Sequence, residues 1–259
     1  MFQVSTAGPV TTLTLSHPPV NAISDEWVRV FDAKLDQLEA SCAVLHIRSD
    51  QKVFCAGADL KEMRGRMDMA DGPDRMYAYV AAIQRLYFRI EALPQVVLAE
   101  IGGAAMGGGF ELALACDLRI AANEAKVGLP EARLGLIPGA GGTQRLTRLC
   151  GPALASRLIL GAEVLDGATA ATLGVVHWAA PRAELPVRAA ETAQRIADLP
   201  AAALAASKAC IAAAGQPGRG GYADELEFTR SLLTNAETQK RVQAFLAGAA
   251  TTDKPSKKD

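Results

Sequence analysis

Two glutamates, Glu111 and Glu131, follow stretches of small or stiff residues suited to presenting a carboxylate to a ligand. Glu111 closes the run Ile101-Gly102-Gly103-Ala104-Ala105-Met106-Gly107-Gly108-Gly109-Phe110-Glu111. An apolar strand, Val96 to Ile101, feeds that run, and a helix reads from about Gly109 toward Cys116 with Glu111 in its first turn. Three glycines before a helix let a ligand approach the backbone closely. The first N–H groups of a helix lack intrahelical partners, and the helix dipole favours negative charge there. Such a corner suits an anion or a developing oxyanion. Taken alone, the run reads better as a tight strand-to-helix turn with a solvated glutamate.

Two further stretches supply complementary parts. Phe54-Cys55-Ala56-Gly57-Ala58-Asp59-Leu60-Lys61-Glu62 leaves the backbone uncovered at 56–58, so the Ala58 N–H is a natural second donor. Asp59 reads as the cap of a following helix, with Glu62 closing a capping box, a structural role rather than a catalytic one. Leu129 to Gln144 holds Glu131 directly behind Pro130, where the chain is stiff. Its glycines at 139, 141 and 142 do not form G-x-G-x-x-G, and no G-K-[ST] occurs in the chain, so a nucleotide phosphate loop is not indicated. Two convergent N–H groups, near Ala58 and Gly108, can polarise a carbonyl and hold an enolate as it forms. A thioester suits this, because its α-carbon readily takes carbanion character. Two carboxyls beside such a centre acquire different pKa values through burial and mutual repulsion, giving one acid and one base. None of this chemistry calls for a metal, and His17, His46 and His177 stand in no triad or zinc-binding context.

These parts need a sizeable scaffold. The chain has 259 residues, 50% of them hydrophobic and 21% charged, enough for one large domain or one domain with an appendage. A net charge of -1 offers no field for nucleic acid or an anionic membrane. Five dispersed cysteines without C-x-x-C read as reduced thiols, and no basic leader or transmembrane-length apolar run is found, so a cytoplasmic location is expected.

Along the chain, Val10–Leu15 and 43–47 alternate as strands, with His46 and Arg48 expected to face outward. Ser24 caps a helix whose apolar face is Val28, Phe31, Leu35 and Leu38. Lys61–Gly72 is polar and expected to be mobile, with Arg64 and Arg66 solvated; Met63, Met67, Met69 and Tyr77 could line a pocket or lie at the surface. A longer helix runs over 73–92 with Val80, Ile83, Tyr87 and Ile90 as its stripe. Short strands follow at 118–121 and 126–128, then helices at 143–149, 152–160 and 166–173. From Glu184 the chain reads as helix alone (184–198, 200–214, 222–233 and 235–247), broken by Pro200 and the Gly215–Gly221 run, with a frayed tail from about 251. The change of character places a boundary that divides 1–197 from 198–259.

Spacing alone does not assemble the site, because Glu111 and Glu131 lie 20 positions apart. The three stretches together, Phe54–Leu60, Met106–Glu111 and Pro130-Glu131 followed by Gly135-Leu136-Ile137-Pro138-Gly139-Ala140-Gly141-Gly142-Thr143-Gln144-Arg145-Leu146, resemble the signature segments of the enoyl-CoA hydratase/isomerase (crotonase) superfamily. The likeness covers nearly the whole chain. It implies an α/β fold, a spiral of ββα units with a C-terminal helical trimerisation region, assembled as a homotrimer or a dimer of trimers. It implies an acyl-CoA substrate whose thioester oxygen sits between the N–H groups of Ala58 and Gly108. Ala56 and Gly57 would line the CoA path, with Asp59 and Leu60 beside them. Glu111 would deprotonate the water added to C3 and Glu131 would protonate C2, with no cofactor beyond the coenzyme A of the substrate. Isomerases, dehalogenases, decarboxylases and hydrolases of the superfamily commonly replace one of these acids. The alternatives are therefore a double-bond shift or retro-Claisen reaction on the same scaffold, or a non-catalytic acyl-CoA- or RNA-binding module. With only Lys61, Arg64 and Arg66 among Glu62, Asp68 and Asp71, RNA binding is not expected.

Overall fold

The computed structural model describes residues 1–39, 41–214 and 220–252, the last five of these by backbone alone. The chain forms two compact units, Met1–Ala197 and Asp198–Asp259. In order, the first contains β1 (Phe2–Ala7), β2 (Val10–Leu15), α1 (Asp25–Leu35), β3 (Val44–Ser49), α2 (Leu60–Met67), α3 (Gly72–Ala92), β4 (Val96–Ile101), β5 (Ala105–Met106) and α4 (Gly108–Ala115). It continues with β6 (Leu118–Ala122), β7 (Lys126–Gly128), a 3-10 turn at Pro130–Leu134, α5 (Gly142–Leu160), β8 (Val164–Asp166), α6 (Gly167–Thr172), β9 (Trp178–Ala180) and α7 (Leu185–Ala197).

Six strands form one sheet in the order β1-β2-β3-β4-β6-β9, parallel except for the β1–β2 hairpin. Strands β5, β7 and β8 form a second, smaller sheet. β4 is buried at all six positions, as an apolar strand in a parallel sheet should be, and its one charged residue, Glu100, is buried with the rest. β2 alternates instead, burying Thr11, Leu13 and Leu15. The aromatic cluster of Phe2, Trp27 and Phe31, with ring centroids 5.0–5.2 Å apart, ties the edge hairpin to α1. α7 packs against β2, β3, β4, β6 and β9.

Several local readings are met by side-chain geometry. Ser24 accepts the Trp27 N–H at 3.0 Å and starts α1, which ends at Leu35, before Leu38. Asp59 accepts from Lys61 N at 2.8 Å and Glu62 N at 3.2 Å, capping α2. Glu62 does not complete the box: its carboxylate takes the Asp25 N–H at 3.3 Å and pairs with Arg66 at 3.0 Å.

The structure corrects other expectations. Lys61–Gly72 is largely helix α2, and Arg66 is buried, paired with Asp25 at 2.6 Å and lying 4.3 Å over the Tyr79 ring. His46 does not face solvent. Its Nε2 lies 2.9 Å from Glu100 Oε2, both side chains being buried, although the approach is not aligned as a hydrogen bond. On α3, Tyr79 is buried while its neighbour Val80 is only partly covered. The helices read at 143–149 and 152–160 run on as α5 across a kink at Gly151, whose φ of 77° requires glycine.

The second unit contains α8 (Ala201–Ala214), α9 (Gly221–Leu233) and α10 (Ala236–Thr252), with α8 packed on α9. Ile211, Tyr222, Leu226 and Phe245 of this unit are exposed. Of the frayed tail expected from about 251, residues 253–259 lie outside the described residues, as do 215–219 of the break between α8 and α9. No single helix among the described residues is long and apolar enough to cross a membrane. All five cysteines are free thiols.

Candidate active site

The Ala58 loop is held by main-chain bonds and by neighbouring side chains, Asn21 Nδ2 donating to Phe54 O at 2.9 Å. Ile23 N donates to Gly57 O and Asp59 N donates to Ile23 O, both at 2.9 Å, so Ala58 is clamped on either side. Met106 N donates to Cys55 O at 3.1 Å, which stitches this loop to β5. Gly107 then turns the chain with φ 51° and ψ −126°, a conformation open to glycine alone. Its carbonyl accepts from Phe110 N at 2.8 Å and Glu111 N at 2.9 Å, starting α4.

The three glycines before Glu111 have different reasons. Gly107 supplies the turn. A Cβ on Gly109 would collide with the Cys55 carbonyl oxygen. Gly108 faces the Ala58 loop: its absent Cβ would stand 3.7 Å from Ala58 N, and that of Gly57 would stand 3.3 Å from Gly108 N. The two loops therefore meet at a corner of glycine backbone, with Ile23 Cδ1 3.1 Å from where a Gly108 Cβ would be. Neither the Ala58 nor the Gly108 N–H has an acceptor among the described residues. A pair of such donors at the start of a helix stabilises negative charge on an oxygen.

Glu131 reaches this corner, and Glu111 lies within range of its charge. Glu111, 3% exposed, accepts the Gly142 N–H at 2.7 Å through Oε1. Burial pushes its carboxyl up to about 7; the Gly142 N–H opposes the rise and the neighbouring Glu131 charge adds to it. Glu131 sits in the 3-10 turn behind Pro130, with Oε1 2.9 Å from where a Gly107 Cβ would be. Its Oε2 is buried without a hydrogen-bond partner, and burial raises its carboxyl pKa. The loop that presents Gly142 is braced by Arg145, which donates to Ala140 O at 2.7 Å and pairs with Glu91 at 2.6 Å.

All the residues named from sequence can be placed against this corner. Ala58, Gly57 and Gly108 meet at it, Glu131 lies against Gly107, and Glu111 is held by Gly142 within range of the Glu131 charge. Ala56 and Leu60 are exposed on the same loop, while the Asp59 carboxylate is engaged at the start of α2. Sequence reasoning missed the Gly142 N–H, Arg145 and the hydroxyl of Tyr87, which donates to Gly108 O at 2.7 Å. Tyr87 was legible only as part of an apolar stripe.

Paired main-chain donors near two carboxyls of raised pKa are groups able to polarise a carbonyl and move protons. The sequence profile of the enoyl-CoA hydratase/isomerase family matches residues 5–250, and the chain belongs to this family. It is similar to a Bacillus subtilis (strain 168) protein named "Probable enoyl-CoA hydratase", 42% identical over 195 residues that make up 73% of each chain. It is 45% identical over 160 residues to the mitochondrial methylglutaconyl-CoA hydratase of Mus musculus, covering 60% of this chain and 49% of that protein. The solved enoyl-CoA hydratase of Bacillus anthracis shares its fold at a TM-score of 0.89 and 33% identity, covering 95% of this chain and 96% of that one. The α/β architecture is thus that of the crotonase superfamily.

Proposed function

We propose that this protein adds water to a 2-trans-enoyl-CoA, giving a 3-hydroxyacyl-CoA. The observation that supports this reading is a pair of electrostatically coupled carboxyls, Glu111 tied to Gly142 and Glu131 set against Gly107 with a buried, unpartnered oxygen. The thioester oxygen accepts from the Ala58 and Gly108 N–H groups, each such donor being worth about 3 kcal/mol of barrier. Glu111, ionised, takes a proton from water as its oxygen bonds to C3. The C2–C3 double-bond electrons move onto the thioester as an enolate held by the two amides. Glu131, protonated, then delivers its proton to C2. Glu111 ends protonated and Glu131 ionised, and proton exchange with solvent resets the pair.

Ala56 and Gly57 line the path of the CoA moiety, with Asp59 and Leu60 at its edge, and the reaction needs no cofactor other than the coenzyme A of its substrate. The second unit serves packing in a homotrimer or dimer of trimers, for which its exposed Ile211, Leu226 and Phe245 are suited. A double-bond shift on the same scaffold needs one carboxylate only, so the free Glu131 Oε2 favours hydration over it. Loss of the conjugated enoyl-thioester absorbance with crotonyl-CoA tests the reading. Product analysis with a 3-enoyl-CoA separates isomerisation from hydration. Absence of turnover with every enoyl-CoA, alongside calorimetric binding of CoA, would reduce the protein to an acyl-CoA-binding module.

A further inference from the structure

Polar side chains of helix α3 reach the Ile23 segment, the Gly108 corner and the Gly139–Arg145 stretch. Tyr79 O–H donates to Ile23 O at 2.6 Å, and Ile23 is the residue that clamps Gly57 and Asp59 around Ala58. Tyr87 O–H donates to Gly108 O at 2.7 Å. Between them Gln84 donates to Gly139 O at 2.6 Å, and beyond them Glu91 pairs with Arg145 at 2.6 Å. Both tyrosines are buried, 3% and 0% exposed. Burial holds their phenols well above the usual tyrosine pKa, so both stay protonated donors. A buried hydroxyl without a partner is costly, so each tyrosine fixes its carbonyl as firmly as the carbonyl fixes it.

We infer that Tyr79 and Tyr87 are positioning residues of the amide pair. One hydroxyl sets the clamp around Ala58 and the other orients the residue bearing the second N–H, so α3 acts as a bar holding the spacing between the two donors. The two hydroxyls stand eight residues apart, about 12 Å along the helix axis. Elsewhere the loops meet through main-chain bonds such as Met106 N to Cys55 O and through close glycine backbone, with only Ile23 packed at Gly108, so few side chains fix that spacing. An oxyanion pocket depends on such spacing, because its donors must meet the oxygen at about 3 Å with little reorganisation.

The inference rests on the hydratase reading, and the test separates the two. The full chain carrying Tyr87→Phe is compared with wild type and with Ile90→Val, which trims the same helix's buried face away from the loops. Turnover is followed with crotonyl-CoA. Carbonyl polarisation is read by infrared difference spectroscopy with butyryl-CoA labelled with carbon-13 at the thioester carbonyl, which cannot be hydrated. For Tyr87→Phe we expect kcat to fall about tenfold, a fraction of the loss on removing a whole donor, with KM within about twofold. The carbonyl shift shrinks in parallel. Ile90→Val lowers the melting temperature but keeps the shift. Wild-type kcat and shift in Tyr87→Phe, or an equal loss of shift in Ile90→Val, overturns the inference. If wild type hydrates no enoyl-CoA, the hydratase reading falls by itself. Lower amide order parameters at Gly108 in ligand-free Tyr87→Phe still support the positioning role, and unchanged ones end it.

Discussion

Helix α4, which carries Glu111, is buried at every position from Gly109 to Ala115, whereas the 3-10 turn that carries Glu131 has no buried residue. The same side chain is thus presented in two ways. Glu111 is fixed by an apolar helix and by the Gly142 N–H at 2.7 Å, and burial raises its pKa to about 7. Glu131 depends on Pro130 and on Gly107 for its place, and it keeps one oxygen without a partner. In the proposed hydration, Glu111 is the more rigidly held base and Glu131 the less constrained acid.

The largest expected effect strikes both halves of this contrast. Glu111→Gln and Glu131→Gln should each lower crotonyl-CoA hydration by about 10²–10⁴, the range for a general acid or base. Wild-type rates in either variant would remove the role given to that residue. The pH profile should be just as asymmetric. Glu111 must be ionised to accept a proton, so kcat/KM should fall as pH drops through about 7. A flat profile from pH 6 to 8 would show that its titration does not gate the reaction.

Packing should separate the two regions next. Leu112, fully buried beside Glu111, should cost about 2–5 kcal/mol of stability when changed to Ala. Urea unfolding measures this through a lower midpoint at constant slope.

The Glu111 charge itself should be destabilising. Its folded pKa of about 7 exceeds the usual glutamate value of 4.5, so between these values the native state binds more protons than the unfolded state. Stability therefore falls as pH rises from about 4.5 to 7 and levels off above, by on the order of 3 kcal/mol. Glu111→Gln keeps the acceptor for the Gly142 N–H and removes the titration, so it should be more stable than wild type at pH 8 and lose that advantage near pH 5. Equal urea midpoints for the two proteins at pH 8 would mean that the carboxylate is compensated where it stands.

The contrast also marks how far the chain could be read from residue order. Elements dominated by local signals were legible: the apolar strand β4, the Ser24 and Asp59 caps, and the glycines ahead of α4. The resemblance joined the two glutamates, and geometry adds what holds each of them. What stayed hidden depends on partners distant in the chain. Arg66 reads as a surface cation until Asp25, 41 positions away, is brought beside it. His46 is buried because it shares a sheet face with Glu100, two residues beyond its register partner Leu98. β1 exposes five of its six residues and is ordered by pairing with β2, which no burial pattern announces. On α3, tertiary packing selects Tyr79 over Val80, a one-residue shift of the buried stripe that hydrophobicity alone could not choose.

The smallest effect bears on the exposed half of the contrast. Leu134 ends the turn that carries Glu131 and is 67% exposed, with Leu136 and Ile137 exposed beside it. A side chain so placed contributes little to a single chain, so Leu134→Ala should change stability by no more than about 0.5 kcal/mol. Crotonyl-CoA hydration should stay near wild type, because Glu131 is set by Pro130 and Gly107 on its other side. A larger loss would mean that the turn is covered in solution. If that loss grew on dilution, the cover would be a second copy of this chain, since an interface between copies makes stability depend on protein concentration. The apolar residues after Glu131 would then belong to an interface, and the less constrained acid would owe its position to assembly.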